Sequence, residues 1–371
     1  MTEKNVSPNL GTAPSGAATP LLHVRHLSVD FISPDGAAAH ALEDVSFDVY
    51  PGQTLGLVGE SGCGKTTTLM AIMRLLPASG RITAGQVVFD ASAWSTGASA
   101  DPAPIDASKT GSGIDLLSLS ERQMRQYRWK EMAIVFQGAM NALNPVMKVG
   151  PQIREAILLH NLMDRQSADR RVAELLELVG IPGSRGEQYP HQFSGGMRQR
   201  AMIAMALACS PRLLFADEPT TALDVMIQAQ VLELLKNIQQ ELGLAIVLVT
   251  HDLGVVAEVC DSVVVMYGGK VAEYGSSDQV YNTPQHPYTQ RLLEAFPDLN
   301  EASGSLASIP GTPPRLTELP PGCRFEPRCH VRTERCRLAA PRLLDVSTSS
   351  GQPAGSHLAA CHLLQGTEAK L

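Results

Sequence analysis

The chain has 371 residues, of which 44% are apolar and 18% are charged, and this composition suits one large globular domain or two smaller ones. Its formal net charge of -7 argues against a dedicated nucleic-acid binder, which is usually basic. Because the longest apolar run, Ala201 to Cys209, is far shorter than the roughly 20 residues of a membrane span, and because the N-terminus lacks a secretory h-region, we expect a cytosolic protein with reduced cysteines.

In the N-terminal part of the chain, the sequence pattern predicts a tail followed by three strands and a helix. Residues 1–20 are small and polar with Pro and Gly, which is typical of disorder. The segments LLHVRHLSVDF and ALEDVSFDVY and the shorter TLGLVG have the pattern of strands. We expect a helix from near Lys65 through TTTLMAIMRLL. Residues 91–114 are rich in Ala, Ser, Gly, Asp and Pro and predict a mobile surface insertion.

The second half of the chain predicts another α/β stretch. Apolar residues between Ile153 and Val179 recur with helical spacing. RLLFAD and AIVLVT have the pattern of buried strands and flank a helix, VMIQAQVLELLKNIQQEL. SVVVMYGGKVAEYG predicts a β-hairpin that turns at Gly268-Gly269. A proline-rich segment, IPGTPPRLTELPPG, then leads to a short cysteine-bearing tail.

The residues between TLGLVG and the first predicted helix form a phosphate-binding motif. The run GESGCGKT from Gly59 to Thr66 fits G-x-x-x-x-G-K-[ST], with a strand before it and a helix after it. Glycines allow backbone N–H groups to point into one concavity, and the helix N-terminus favours negative charge there. We expect Lys65 to bind the β- and γ-phosphates and the Thr66 hydroxyl to bind Mg²⁺.

RLLFADE supplies two carboxylates at the end of a strand. Asp217 can hold Mg²⁺ directly or through water, and Glu218 can orient and deprotonate the attacking water. An acidic pair alone often marks only a solvated strand end. Together with the phosphate motif, it predicts a P-loop nucleoside triphosphatase.

Further motifs resemble those of ABC ATPases. FSGGM, with Ser194, Gly195 and Gly196 before a predicted helix, resembles the signature motif and would form a second anion site at a helix N-terminus. Gln137 resembles the Q-loop glutamine, His251 the switch histidine, and Thr221-Ala222-Leu223-Asp224 the D-loop. Phe31 resembles the aromatic residue that stacks on adenine, although His40 is an alternative for that position.

The resemblance covers about residues 21 to 300 and implies an α/β P-loop NTPase fold. This fold has a RecA-like core, an antiparallel β subdomain, a helical subdomain at about residues 138–200, and here a C-terminal extension over residues 301–371. It implies ATP and Mg²⁺ as ligands, with Glu218, His251 and Gln137 as catalytic residues and Thr66, Gln137 and Asp217 at Mg²⁺. The residues implied to contact the nucleotide are Phe31, Gly59, Ser61, Gly62, Cys63, Gly64, Lys65, Thr66, Thr67, Gln137, Ser194, Gly195, Gly196, Asp217 and Asp224.

Within the ABC ATPases, the chain is most similar to oligopeptide/dipeptide importer subunits, a group that also includes nickel and some glycoside importers. The similarity rests on GESGCGKT, FQGAMNALNPVMKVG, QYPHQFSGGMRQR, DEPTTALDV, HPYTQRLLEAFP and GCRFEPRC. It implies an identical or different second ATPase subunit, two permease subunits, an extracytoplasmic binding protein, and a peripheral location at the cytoplasmic membrane face. Met197 departs from the usual glutamine and cannot make its amide hydrogen bond. The alternatives are a soluble ABC ATPase that acts on ribosomes or DNA and a nucleotide-regulated metal-cluster protein without a role in transport.

The C-terminal tail contains four cysteines with the spacing C-x5-C-x6-C-x24-C: Cys323, Cys329, Cys336 and Cys361. Soft thiolate ligands suit an iron–sulfur cluster or zinc, and free thiols are a third alternative. Nearby arginines are expected to favour thiolates. Similar tails in oligopeptide/dipeptide importer subunits are associated with a [4Fe–4S] cluster, which is the ligand that the resemblance implies here. We expect Cys63 to be a loop residue and Cys209 and Cys260 to be buried thiols.

Overall fold

The structure is a computed structural model that describes residues 19–94, 113–138, 142–221, 223–295, 309–346 and 357–364. Residues 1–18 of the tail that is expected to be disordered lie outside these residues, as do most of the 91–114 insertion and Ala222. The chain divides into two compact units, and each is described by itself. The first comprises the described parts of Met1–Val49, Leu55–Phe89 and His251–Leu371, and the second those of Tyr50–Thr54 and Asp90–Thr250.

The first unit contains an antiparallel sheet that begins close to the N-terminus. Strand β1 (Leu22–Ile32) lies between β2 (Ala38–Val49) and β4 (Gly80–Phe89) and pairs antiparallel with both. The two strands predicted first are therefore confirmed. The pattern did not predict β4, because most of its first seven side chains are exposed and only its end, QVVF, has a buried apolar character.

A second set of strands in the first unit carries the phosphate motif. β3 (Thr54–Val58) pairs parallel with β9 (Ser262–Tyr267), and β9 forms a hairpin with β10 (Lys270–Ser276). The predicted turn at Gly268-Gly269 is confirmed, and both glycines have positive φ. The remaining elements are α1 (Lys65–Ile72), α7 (Leu253–Val259), α8 (Ser277–Asn282), α9 (Pro287–Glu294), α10 (Glu334–Leu338), β11 (Leu344–Asp345) and β12 (Leu358–Ala359).

The C-terminal segment adds its strands to this set. β12 pairs antiparallel with β10, and β11 pairs with β12. The tail is thus joined to the first unit by backbone hydrogen bonds as well as by its side chains.

Helix α1 is shorter than predicted. It ends at Ile72, four residues before Leu76, where the predicted helix ends.

The second unit contains three parallel strands and most of the longer helices. β7 (Leu213–Asp217) lies between β6 (Met132–Val135) and β8 (Ala245–Thr250), and all three are largely buried. The helices are α2 (Glu121–Tyr127), α3 (Val149–Leu159), α4 (Arg165–Leu178), α5 (Gly195–Ala206) and α6 (Val225–Leu242), and a two-residue strand β5 spans Ile114–Asp115. The helices predicted between Ile153 and Val179 are α3 and α4, and α6 has the predicted bounds.

These elements confirm the α/β fold class. Buried parallel strands that alternate with helices are typical of P-loop folds, in which ligands lie at the carboxyl ends of the strands. Among the described residues, no helix combines the length and the apolar character that crossing a membrane requires.

A buried carboxylate organises the segment that follows β10. Glu273 is fully buried and accepts hydrogen bonds from the backbone N–H groups of Gln285 (2.7 Å) and His286 (2.9 Å). It also lies 2.7 Å from Nε2 of His357, which belongs to the C-terminal tail. A buried charge is tolerated only with such partners, so Glu273 links β10, the start of α9 and the tail.

The neutral His286 ring makes the stability of the first unit pH-dependent. Burial lowers the pKa of His286 to about 4, and its Nδ1 accepts the N–H of Tyr288 at 3.0 Å. The unfolded chain takes up a proton on this ring near pH 6.5, whereas the folded chain does not. The contribution is therefore complete above pH 6.5 and is lost as the pH falls toward 4.

We expect the free energy of unfolding of the wild type to fall by about 3 kcal/mol more than that of H286Q between pH 7 and pH 4. Denaturant titrations at several pH values measure this difference. H191Q, at an exposed histidine, is the control and should follow the wild type. Equal pH dependence of wild type and H286Q would exclude the role of this ring.

Candidate functional site

The phosphate motif forms a loop between β3 and α1 in the first unit. Lys65 is the first residue of α1 and only 5% exposed. Its Nζ donates hydrogen bonds to the carbonyl oxygens of Gly59 (2.6 Å) and Glu60 (3.1 Å). Ser61, Gly62 and Thr66 are exposed on the same loop and first helical turn, and Thr67 is half-buried. An ammonium group held in a glycine-rich loop at a helix N-terminus is suited to binding phosphate.

Gly59 cannot be replaced without moving the backbone. Its φ is +142°, and a Cβ at this position would lie 2.2 Å from the carbonyl oxygen of Met266. Cys63 packs beside it and is 4% exposed, and burial raises the pKa of its thiol. Cys63 is therefore a protonated packing residue of the loop rather than a nucleophile.

Phe31 and His251, two further predicted residues, also belong to the first unit. Phe31 is half-buried near the end of β1, where it is paired with Ala39 and Gly80. His40, its alternative, lies on β2 with its Nδ1 2.8 Å from Oδ1 of Asp30. His251 directly follows Thr250 and is exposed. Since His40 has an acidic partner on the neighbouring strand, Phe31 remains the better candidate for the residue that would stack on adenine.

The second unit brings two side chains to the carboxylate of Glu218. Asp217 ends β7 and is 1% exposed, and Glu218 follows it. Oε2 of Glu218 accepts hydrogen bonds from Nε2 of Gln137 at 2.7 Å and from the Thr221 hydroxyl at 2.9 Å. The side chains of Gln137 and Thr221 thus fix the orientation of this carboxylate, as a general base requires. The sequence predicted Gln137 and Glu218 separately, but not their direct contact or the role of Thr221.

Glu218 also has an uncommon backbone conformation. Its φ is +45°, in the left-handed region that non-glycine residues rarely adopt, and its N–H donates to the carbonyl oxygen of Val249 at 2.9 Å. Such a conformation costs about 1–3 kcal/mol and persists where surrounding contacts impose it. The turn after β7 therefore presents this side chain at the expense of backbone strain.

The signature segment begins helix α5. Ser194 is its N-cap, and its hydroxyl accepts the backbone N–H of Met197 at 3.3 Å. A Cβ on Gly196 would lie 2.8 Å from Cγ2 of Ile227 on α6, so a glycine allows these helices to approach. Asp224 is the N-cap of α6 and accepts the N–H of Ile227 at 3.0 Å. The predicted cap at Ser194 is confirmed, and Gly195 is the first residue of α5. The capping role of Asp224 was not predicted.

The four tail cysteines line one small pocket, together with Phe325 and His362. Even so, the described part of the chain contains no group of three or more His, Cys, Asp or Glu side chains arranged to hold a metal ion. Cys209 and Cys260 are buried, as predicted.

The expectation that nearby arginines favour thiolates is wrong. Burial raises the pKa of Cys323 to about 11, and it also raises the pKa of Cys329 and Cys361. The arginines are directed to carboxylates instead: Arg324 pairs with Glu43, Arg328 with Glu60, and Arg332 and Arg337 with Glu326. The charges of these four arginines are paired with carboxylates, so Cys323, Cys329 and Cys361 stay protonated as thiols.

The phosphate loop has one further contact that sequence reasoning did not find. The backbone N–H of Glu60 donates a hydrogen bond to the hydroxyl of Tyr288 at 2.9 Å, and Tyr288 is fully buried on α9. The sequence offered the segment HPYTQRLLEAFP only as a family likeness. No local pattern could pair residues 228 positions apart.

Two family patterns match the chain. One, described as ABC transporter, covers residues 42–221, and the other, described as the C-terminal region of oligopeptide/dipeptide transporters, covers residues 272–336. The chain is 44% identical over 326 residues to the oligopeptide transport ATP-binding protein OppD of Haemophilus influenzae, covering 87% of this chain and 93% of the relative. It is 47% identical over 324 residues to the dipeptide transport ATP-binding protein DppD of Bacillus subtilis, covering 86% and 90%.

Two solved structures of ABC transporter proteins are also similar to this chain. The dimeric structure of a bacterial ABC transporter cassette aligns with a TM-score of 0.57 and 25% identity, covering 69% of this chain and 98% of the cassette. The cbiO1 protein of Clostridium perfringens, part of an ABC transporter complex, aligns with a TM-score of 0.55 and 26% identity, covering 71% of this chain and 91% of its own.

Proposed function

We propose that this chain, which belongs to the oligopeptide/dipeptide family of ABC transporter ATP-binding proteins, hydrolyses ATP to drive the import of peptides or similar small solutes. The observation that carries the proposal is the buried lysine of the phosphate loop in a chain that is similar to peptide-transport ATP-binding proteins over most of its length. Nickel and glycosides remain alternative cargoes.

Each motif residue of the site has a proposed role. Lys65 binds the β- and γ-phosphates, helped by the loop and by Thr67, while Phe31 stacks on adenine. Glu218 activates the attacking water, Gln137 orients it and His251 contacts the γ-phosphate. Oxygen donors of the kind that Mg²⁺ prefers are available at Thr66, Gln137 and Asp217, and the ion neutralises phosphate charge when bound.

We also propose that a second ATPase subunit completes the site. The exposed N-cap of α5, with Ser194, Gly195 and Gly196, would face the ATP held by the other subunit, and Asp224 would lie near the same interface. Two permease subunits and an extracytoplasmic binding protein would complete the transporter. The chain would then lie at the cytoplasmic face of the membrane.

Affinity purification of the tagged chain from detergent-solubilised membranes tests the transport role. We expect two integral membrane proteins to co-purify, with ATP hydrolysis stimulated when the transporter is reconstituted with its binding protein and peptide. Recovery with ribosomes or DNA, and no membrane protein, would favour the soluble ABC ATPase instead.

For the cysteine tail we propose metal binding by Cys323, Cys329, Cys336 and Cys361. Four thiols that line one pocket are a donor set suited to a [4Fe–4S] cluster or to zinc. Because burial holds at least three of them as thiols, binding would release protons and draw the side chains together.

Anaerobic purification with iron, sulfide and zinc analysis tests this proposal. We expect a coloured protein with iron and sulfide, and we expect C329S to lose both, whereas C209S, at a cysteine remote in sequence, keeps them. A colourless protein with one zinc would replace the cluster by zinc. A protein without metal would leave the cysteines as free thiols.

A further inference from the structure

The C-terminal tail contacts the phosphate loop through one arginine. The guanidinium of Arg328 donates to both carboxylate oxygens of Glu60, with its Nη2 3.0 Å from Oε1 and its Nη1 2.5 Å from Oε2. Glu60 is the second residue of the phosphate motif. The side chain of Arg328 is 4% exposed and that of Glu60 is 26% exposed, so the pair is largely removed from solvent. Both residues belong to the first unit.

The remaining donors of Arg328 are also used. Its Nε donates to the carbonyl oxygen of Pro310 at 2.9 Å, its Nη2 to that of Ile309 at 3.1 Å, and its Nη1 to the Tyr267 hydroxyl at 3.2 Å. Burial opposes the charged form, but the hydrogen bonds to Glu60 and Tyr267 outweigh it and raise the pKa of Arg328. The cation is therefore held in one position with its planar fork facing Glu60.

Glu60 is held at its backbone as well as at its side chain. Its N–H donates to the Tyr288 hydroxyl at 2.9 Å, and its carbonyl oxygen accepts from Lys65 Nζ at 3.1 Å. A carboxylate in a loop that binds ATP phosphates would repel them unless its charge is neutralised. The bidentate contact with Arg328 provides that neutralisation and fixes where the carboxylate lies.

We propose that Arg328 is a positioning residue for ATP binding, which holds the Glu60 carboxylate of the phosphate loop and cancels its charge toward the nucleotide. The inference rests on the proposed role of this loop in binding ATP. Because Arg328 immediately precedes Cys329, it makes the phosphate loop dependent on the folded cysteine tail.

Calorimetric titration of the purified full chain with ATP, without Mg²⁺ so that no hydrolysis occurs, tests the proposal. We expect R328Q to raise the Kd about tenfold, because one negative charge beside the phosphates is no longer compensated. The double variant E60Q/R328Q should bind ATP within about threefold of the wild type, since the repelling charge is gone. R328K retains the positive charge but loses the planar fork. Its Kd for ATP should also stay within about threefold of the wild type, although its melting temperature falls.

A wild-type Kd in R328Q would overturn the proposal. So would a double variant as weak as R328Q, because the arginine would then act only through packing. R337Q removes a tail arginine that pairs with Glu326 and serves as the matched control with an unchanged Kd.

The variants E60Q and K65A provide two further tests. If R328Q does not fold, E60Q alone decides: the arginine left without its carboxylate should lower the Kd for ATP, and an equal or higher Kd contradicts the proposal. K65A must lose ATP affinity for the loop assignment itself to hold. A failure of K65A to do so refutes the ATP site, whereas a failure of R328Q alone refutes only the role of Arg328.

Discussion

Replacement of Glu218 by glutamine is expected to lower the rate of ATP hydrolysis by roughly 10²- to 10⁴-fold while ATP binding is retained. Glutamine has the same shape, and its carbonyl oxygen can still accept the hydrogen bonds that Gln137 and Thr221 donate to Oε2. What it loses is the basic carboxylate that takes a proton from water. The ATP-bound variant should therefore accumulate as a closed dimer. Phosphate release by the assembled transporter and nucleotide retention after gel filtration measure the two effects.

E233Q is the matched control for this substitution. Glu233 is exposed on α6, and its replacement makes the same chemical change away from the strand end. We expect E233Q to hydrolyse ATP at the wild-type rate. If E218Q did so too in the assembled transporter, the assignment of Glu218 as the general base would be wrong.

The second large effect is expected for K65A, which should weaken ATP binding by about 2–5 kcal/mol, or roughly thirtyfold or more. The Lys65 ammonium is almost completely buried, and its hydrogen-bond partners within the described residues are two loop carbonyl oxygens and the Cys63 sulfur. ATP phosphates would provide a stronger partner for this charge than neutral carbonyl groups do. Equilibrium titration with ATP measures the loss.

K236A provides the control, because Lys236 is exposed on α6. It should bind ATP as the wild type does. Removal of the lysine also has a structural cost, because its ammonium holds two carbonyl oxygens of the loop. The ATP affinity of K65A should therefore be measured well below its melting temperature, where the loss must persist in the folded protein. Wild-type ATP affinity in K65A would contradict the assignment of the phosphate loop.

Local patterns predicted the elements that carry strong periodicity or turn chemistry. Helix α6 and the β9–β10 hairpin were predicted with their observed bounds or turn, because an amphipathic repeat and a Gly-Gly pair leave few alternatives. Strand β4 was missed because GRITAG reads as a polar turn. It becomes a strand through its pairing with β1, which is a long-range contact.

The candidate site also combines residues that local patterns predicted with long-range contacts that they did not. The phosphate motif and the acidic pair predicted Lys65 and Glu218, and the resemblance to ABC ATPases implied Gln137. The contacts that orient them were not predictable. The pairing of Gln137 with Glu218 spans 81 positions, and the pairing of Arg328 with Glu60 spans 268. The arginines of the tail were misassigned for this reason, because composition places them near thiols whereas the fold directs them to carboxylates.

We propose that ATP is enclosed only when two subunits meet, with Lys65 on one side and a signature segment like that at Ser194 on the other. A structure of the E218Q transporter with ATP and Mg²⁺ tests it most directly. We expect Lys65 of each subunit to contact a γ-phosphate that the signature serine of the second subunit also contacts. An ATP molecule surrounded by a single subunit, with Ser194 facing solvent, would contradict it.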